Sequence, residues 1–140
     1  MTNKFEIELE SKIENLPVIS KFVNRTLTGF QADPDTVNKA QMAIDEACTN
    51  IINYAYSGAV GPLKVALDLV GEDIIIIIKD RGKPFDPTTI PPPDLTADVN
   101  ERKEGGLGFY LIQKLMDCVS YSYDPLEGNQ LILKKTRRKS

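Results

Sequence analysis

The sequence contains no histidine. That absence removes histidine general bases, Ser-His-Asp triads and histidine metal ligands, together with any phospho-accepting histidine in this chain. Cysteine is scarce. Cys48 and Cys118 both fall at apolar positions of helical periodicity, so the expectation is two buried free thiols and a reducing, cytoplasmic setting. No apolar run approaches the roughly 20 residues that a membrane helix needs. The opening Met1-Thr2-Asn3-Lys4-Phe5-Glu6 carries no signal-peptide core, and no membrane partner is expected. Without an export signal, the glycosylation sequon Asn24-Arg25-Thr26 carries no weight. Positive charge is not in excess either: the formal net charge is −3, which argues against nucleic acid as a direct partner.

What is present is enough for one domain, residues 1–140, with 41% apolar and 26% charged residues and a real core. Phe5, Ile7 and Leu9 alternate with charged residues and predict a half-buried strand. A helix follows over 13–30, with Pro17 in its first turn and Gly29 at its end. Asp33-Pro34 is a helix start, a cap followed by proline at the first helical position. This second helix runs to about Tyr56, where Ser57-Gly58 closes it. Ala43, Ile44, Ala47, Cys48, Ile51, Ile52 and Ala55 form its apolar stripe, and Glu46, Asn50 and Asn53 lie opposite. Residues 63–70 alternate, Gly71-Glu72 reads as a two-residue hairpin turn, and Ile74 to Ile78 predict a central strand covered on both faces. Residues 83–105 are proline-rich and aperiodic, which suggests a functional lid over a disordered insertion. A third helix over 107–118 and a last hairpin, strands 119–123 and 130–135 around Leu126-Glu127-Gly128-Asn129, complete the chain; the basic residues 134–140 read as a solvated tail. The order β-α-α-β-β-lid-α-β-β predicts a two-layer α+β sandwich with a mixed, mostly antiparallel sheet and helices on one face.

Three short stretches can carry chemistry. Glu46 and Asn50, one helical turn apart, can present a carboxylate and an amide oxygen to one ligand, with Asn50 as an oxygen donor to Mg²⁺ and Glu46 orienting or deprotonating a hydroxyl near a γ-phosphate. A solvated helix face explains the same pair. Asp80, at the end of the isoleucine strand, can accept a hydrogen bond from an adenine amino group, with Gly82 letting the base lie close and Phe85 packing nearby. A strand-ending Asp-Arg-Gly-Lys turn explains that as well. Gly105-Gly106-Leu107-Gly108 runs into an amphipathic helix, whose unpaired N–H groups and dipole suit phosphate; a tight turn or helix packing is the plain alternative. Neither a Walker-type Gly-Lys-Ser/Thr nor a Gly-x-Gly-x-x-Gly after the first strand is present.

Taken together, the order and spacing of these stretches resemble the ATP-binding domain of the GHKL, or Bergerat-fold, superfamily. Within it, the chain is most similar to the anti-sigma-factor serine/threonine-protein kinases of partner-switching systems. Glu46-Ala47-Cys48-Thr49-Asn50 with Tyr54-Ala55-Tyr56, then Asp80 to Asp86, then Gly105 to Ile112 with Leu115-Met116-Asp117, look like that family's three boxes. The resemblance implies ATP and Mg²⁺, with Asp80 and Gly82 on adenine and Asn50 on the metal and phosphate oxygens. It implies Glu46 as general base toward a protein serine or threonine. Gly106, Leu107 and Gly108 would offer N–H groups to the phosphates, Gly105 would be the lid hinge, and Asn53 would approach a phosphate.

Two positions depart from the family pattern. Tyr54 stands where histidine is frequent, and the hydroxyl residue near adenine in the last strands has only Asn129 and Gln130 as counterparts. The implied partners are a small anti-anti-sigma-like protein substrate, a sigma factor or other regulatory protein, and a second copy in a homodimer. Two other readings stand beside the kinase: an ATP-gated binding module with little or no transfer, and a free-standing ATPase.

Overall fold

The computed structural model describes residues 4–84 and 106–138. The expected lid, from residue 85 onward, lies outside the described residues, as do Phe85 and Gly105.

Strand β1 (Phe5–Glu10) leads through a 3₁₀ turn, Ile13–Asn15, into helix α1 (Leu16–Gly29). The turn takes up the residues ahead of Pro17, so the α-helix begins where that proline needs no N–H partner. The helix does not end on a glycine conformation. Gln31, at φ 61°, is the left-handed residue, while Gln31 N–H donates to Thr28 O and Ala32 N–H to Leu27 O in a Schellman closure. Helix α2 (Pro34–Asn50) is capped as expected: the Asp33 carboxylate accepts from Thr36 N–H at 2.8 Å, ahead of Pro34. After Asn50 the helix widens into a π turn, Ile51–Ala55. Strands β2 (Pro62–Val70) and β3 (Asp73–Asp80) join at Gly71, whose φ of 64° suits the first position of the two-residue turn. Helix α3 (Gly106–Leu115) and the hairpin of β4 (Cys118–Asp124) and β5 (Gly128–Thr136) follow.

The strand order is β1-β2-β3-β5-β4. All four pairings are antiparallel, where a mixed, mostly antiparallel sheet was expected. The two-layer α+β sandwich is otherwise as predicted. Ile19, Val23 and Leu27 of α1, Ala43, Ile44 and Ala47 of α2, and Phe109 and Ile112 of α3 share one core with Val65, Leu67, Ile76 and Leu133 of the sheet.

Three expectations need correction. Strand β3 is central but covered on one face only. Ile74, Ile76 and Ile78 are at most 1% exposed, whereas Ile75 and Ile77 are half-buried. The open face carries cross-strand ion pairs, Lys64 with Glu6 at 3.3 Å and Lys134 with Asp73 at 3.5 Å, which need water on that side. Cys118 is exposed, because α3 stops at Leu115 and Cys118 opens β4 on the face away from the helices. Cys48 is buried as expected, and burial, with the neighbouring Asp45 charge, pushes its thiol up to about 12. The basic run is largely structured: Lys134 and Lys135 lie in β5 and pair with Ile75 and Ile74 of β3, and the Arg137 guanidinium forms a two-pronged pair with Glu72 at 2.7 and 2.8 Å.

Candidate active site

Asp80 is the last residue of β3 and is 7% exposed. A carboxylate so placed needs donors. Gly82 N–H gives one at 2.8 Å and Asn129 Nδ2 another at 2.9 Å, both to Oδ1. Burial raises the carboxyl above its ordinary range, and the bonds from Asn129 and Gly82 pull it part of the way back. Among the described residues both bonds fall on Oδ1, which leaves Oδ2 as the oxygen that can accept from a ligand amino group.

The neighbourhood is built by close backbone approach. A Cβ on Gly82 would sit 2.3 Å from Ala55 O, and Lys83 N–H donates to that same oxygen at 3.0 Å. Glycine at 82 is therefore demanded by the π turn packed on it, a reason beyond leaving room for a base. The π turn matters for the same reason: widening the helix carries Ala55 O to the chain leaving β3. Next along, the Tyr56 hydroxyl accepts from Arg81 N–H at 2.7 Å and donates to Pro62 O. On the other side, Gly128, at φ 87°, has no room for a side chain, because a Cβ there would lie 2.3 Å from Asp80 O.

Glu46 and Asn50 sit in the last turn and a half of α2, beside the start of α3. A Cβ on Gly108 would lie 2.8 Å from Glu46 Oε2 and 3.6 Å from Asn50 Nδ2. The glycine thus lets α2 carry a carboxylate and an amide against the first turn of α3. There the N–H groups of Gly106, Leu107 and Gly108 have no partners within the helix, and the dipole is positive. Asp45, next to Glu46, has its carboxyl raised by burial and then by the Glu46 charge. Asn53 lies in the π turn and is exposed, so the regular helical stacking expected above Asn50 does not hold at this position.

Two features here were not read from the sequence: the direct pairing of Asn129, named with Gln130 only as a counterpart of a hydroxyl residue in the last strands, with Asp80, and its bond to Tyr121. Asn129, placed at the end of the turn, lies in β5 opposite Asp80, and the Tyr121 hydroxyl bonds Asn129 Oδ1. The signal available was Gly128, which ends the turn one residue earlier. The donor set suits a hard cation held mainly by phosphates and water, since Asn50 and Glu46 offer oxygen atoms on adjacent turns. Among the described residues no group of three or more His, Cys, Asp or Glu side chains could hold a metal alone.

The histidine kinase-like ATPase domain matches residues 9–135. The chain belongs to that family. It is 33% identical over 140 residues to the serine-protein kinase RsbW of Bacillus cereus (strain AH187), covering 94% of this chain and 84% of that protein. It is 30% identical to RsbW of Bacillus thuringiensis subsp. konkukian (strain 97-27) over 136 residues, with the same coverage. It is accordingly a GHKL-type kinase of the RsbW group. A structure of the RsbU and RsbW domains of a Mycobacterium tuberculosis protein superposes with a TM-score of 0.70 at 18% identity, covering 95% of this chain. This chain spans 32% of that longer protein chain. A blue-light activated histidine kinase domain from Erythrobacter litoralis EL346 gives 0.54 at 13% identity, covering 89% of this chain and 60% of that one. These two likenesses speak for the fold. Among the described residues no helix is long and apolar enough to cross a membrane.

Proposed function

We propose that this kinase transfers the γ-phosphoryl group of ATP to a serine or threonine of a small anti-anti-sigma-like protein, and that it sequesters a sigma factor or other regulatory protein. The observation that carries the reading is the Glu46 carboxylate held against the start of α3 at Gly108.

In this reading residues 1–140 form one catalytic domain, with residues 83–105 as its lid and Gly105 as the hinge. Asp80 Oδ2 accepts from the adenine amino group, with Gly82 and Phe85 beside the base. The N–H groups of Gly106, Leu107 and Gly108 bind phosphate oxygens at the helix start, and Asn53 approaches them from the π turn. Asn50 would hold Mg²⁺, which supplies neutralisation of phosphate charge when bound. Glu46 accepts the proton of the substrate hydroxyl as its oxygen attacks the γ-phosphorus. The rest of catalysis is positioning, with the substrate oxygen in line with the departing ADP.

The test is Glu46→Gln, assayed for ATP affinity by calorimetry and for transfer of labelled γ-phosphate to the antagonist protein. Retained binding with lost transfer is expected. Transfer at the wild-type rate rules out Glu46 as base. Tight ATP binding by the wild type, with partner capture but no transfer at all, gives the ATP-gated module in place of the enzyme.

A further inference from the structure

The buried end of the sheet holds a side-chain relay that the catalytic chemistry does not use. Strands β3, β5 and β4 are adjacent, and their register sets Asn129 directly opposite Asp80. On β4 the residue opposite Asn129 is Tyr123, and Tyr121 lies two residues away on the same face. The Asn129 amide group then meets three acceptors: Asp80 Oδ1 at 2.9 Å, Gly82 O at 3.2 Å and Lys83 O at 3.1 Å. Gly82 O and Lys83 O cannot donate, so the NH₂ end must face them and the Asn129 carbonyl must face away. That carbonyl is buried, with Asn129 only 6% exposed, and it needs a donor. The Tyr121 hydroxyl supplies it.

We propose that Asn129, oriented by Tyr121, is the positioning residue of the adenine site: it ties Asp80 Oδ1 to the two carbonyls where the chain leaves β3, and so aims Oδ2 at the amino group of the base. The proposal rests on the reading of Asp80 as the adenine ligand. Neither Asn129 nor Tyr121 needs to touch the nucleotide. Their effect passes through the orientation of a carboxylate which, without the amide, loses one of its two anchoring bonds.

The test compares ATP with purine riboside triphosphate, which lacks the 6-amino group, by calorimetry on the full chain. Wild type is expected to prefer ATP about tenfold or more, the value of one hydrogen bond to a charged acceptor. Asp80→Asn is expected to abolish the preference. Asn129→Ala is expected to bring it close to the Asp80→Asn value, and Tyr121→Phe to an intermediate one, each checked as folded by thermal melting. If both variants weaken the two nucleotides equally and keep the wild-type preference, the relay is structural only and the proposal falls. Should Asn129→Ala fail to fold, Tyr121→Phe decides alone, with a reduced preference supporting the relay and an unchanged one overturning it. If wild type shows no preference, or Asp80→Asn retains it, the adenine reading itself is wrong, and the relay falls with it.

Discussion

The two ends of the candidate site are built differently. Around Asp80 the protein satisfies its own polar groups: Asn129, Gly82 N–H, Ala55 O and the Tyr56 hydroxyl lock three segments together within hydrogen-bond distance. Around Glu46 the protein supplies proximity instead, a carboxylate and an amide set against a helix start whose N–H groups have no partner within the helix. In the proposed reading, the first arrangement would hold a flat base by shape and by one carboxylate oxygen. The second leaves donors and charge for groups that arrive with the substrate. Under the proposed placement of the nucleotide, such a division would suit phosphoryl transfer, with the base gripped by fixed groups and the reacting end completed on binding.

The largest effect that would break this contrast is at the open end. Glu46→Gln should lower phosphoryl transfer by about 10²–10⁴-fold, the usual contribution of a general base. It should leave the melting temperature and ATP affinity near wild type, because the side chain is not part of the core. A large fall in thermal stability would show that Glu46 belongs to the locked part of the structure after all.

Gly82→Ala probes the locked end. Its new Cβ would stand 2.3 Å from a backbone oxygen that cannot swing away, so the π turn or the Asp80 loop must shift. Overpacking of this kind costs about 1–3 kcal/mol. The melting temperature should fall by several degrees, and ATP affinity should fall with it. A variant as stable as wild type would show that the Ala55 contact does not fix this end.

The contrast also explains what was legible in the sequence. Asp33-Pro34, the Gly71 turn and the alternating strands were readable because a few local residues determine them. The candidate site residues were named in order from the sequence, and α2 and α3 do bring Glu46, Asn50 and Gly108 together. Features set by contacts between distant segments were not. The π turn at Ile51–Ala55 has no local breaker to announce it; it is tied in by Lys83 N–H, donated from beyond β3. Asn129, named as a last-strand counterpart near adenine, was also placed in the turn beside Gly128, yet the positive φ there belongs to Gly128 and Asn129 lies in β5 opposite Asp80. Cys118 carried a helical spacing that α3 does not continue far enough to use.

Asp45→Asn sharpens the comparison through pH. The Asp45 carboxyl is raised in the folded chain by burial and by Glu46. A raised acid holds its proton more firmly folded than unfolded, so its ionisation costs stability as pH rises from below the unfolded value through the folded one. Removing the charge should therefore raise the melting temperature at neutral pH, and the gain should vanish in acid, where wild type is protonated too. A gain independent of pH would assign the effect to packing, leaving the open end free of electrostatic cost.

The smallest effect lies away from both ends and serves as their control. Gln31 holds φ 61° to let Ala32 N–H reach Leu27 O after α1. A side chain in this conformation costs about 1 kcal/mol, which glycine escapes. The Gln31 side-chain oxygen accepts from Arg138 at 3.4 Å, a long exposed contact of little value. Gln31→Gly should therefore raise the melting temperature slightly, with part of the gain offset by the freer unfolded chain. Because it touches neither Asp80 nor Glu46, ATP affinity and transfer rate should stay at wild-type values. If ATP affinity rose along with global stability, the grip on the base would be limited by the folding of the whole domain, and the local bonds around Asp80 would not be what sets it.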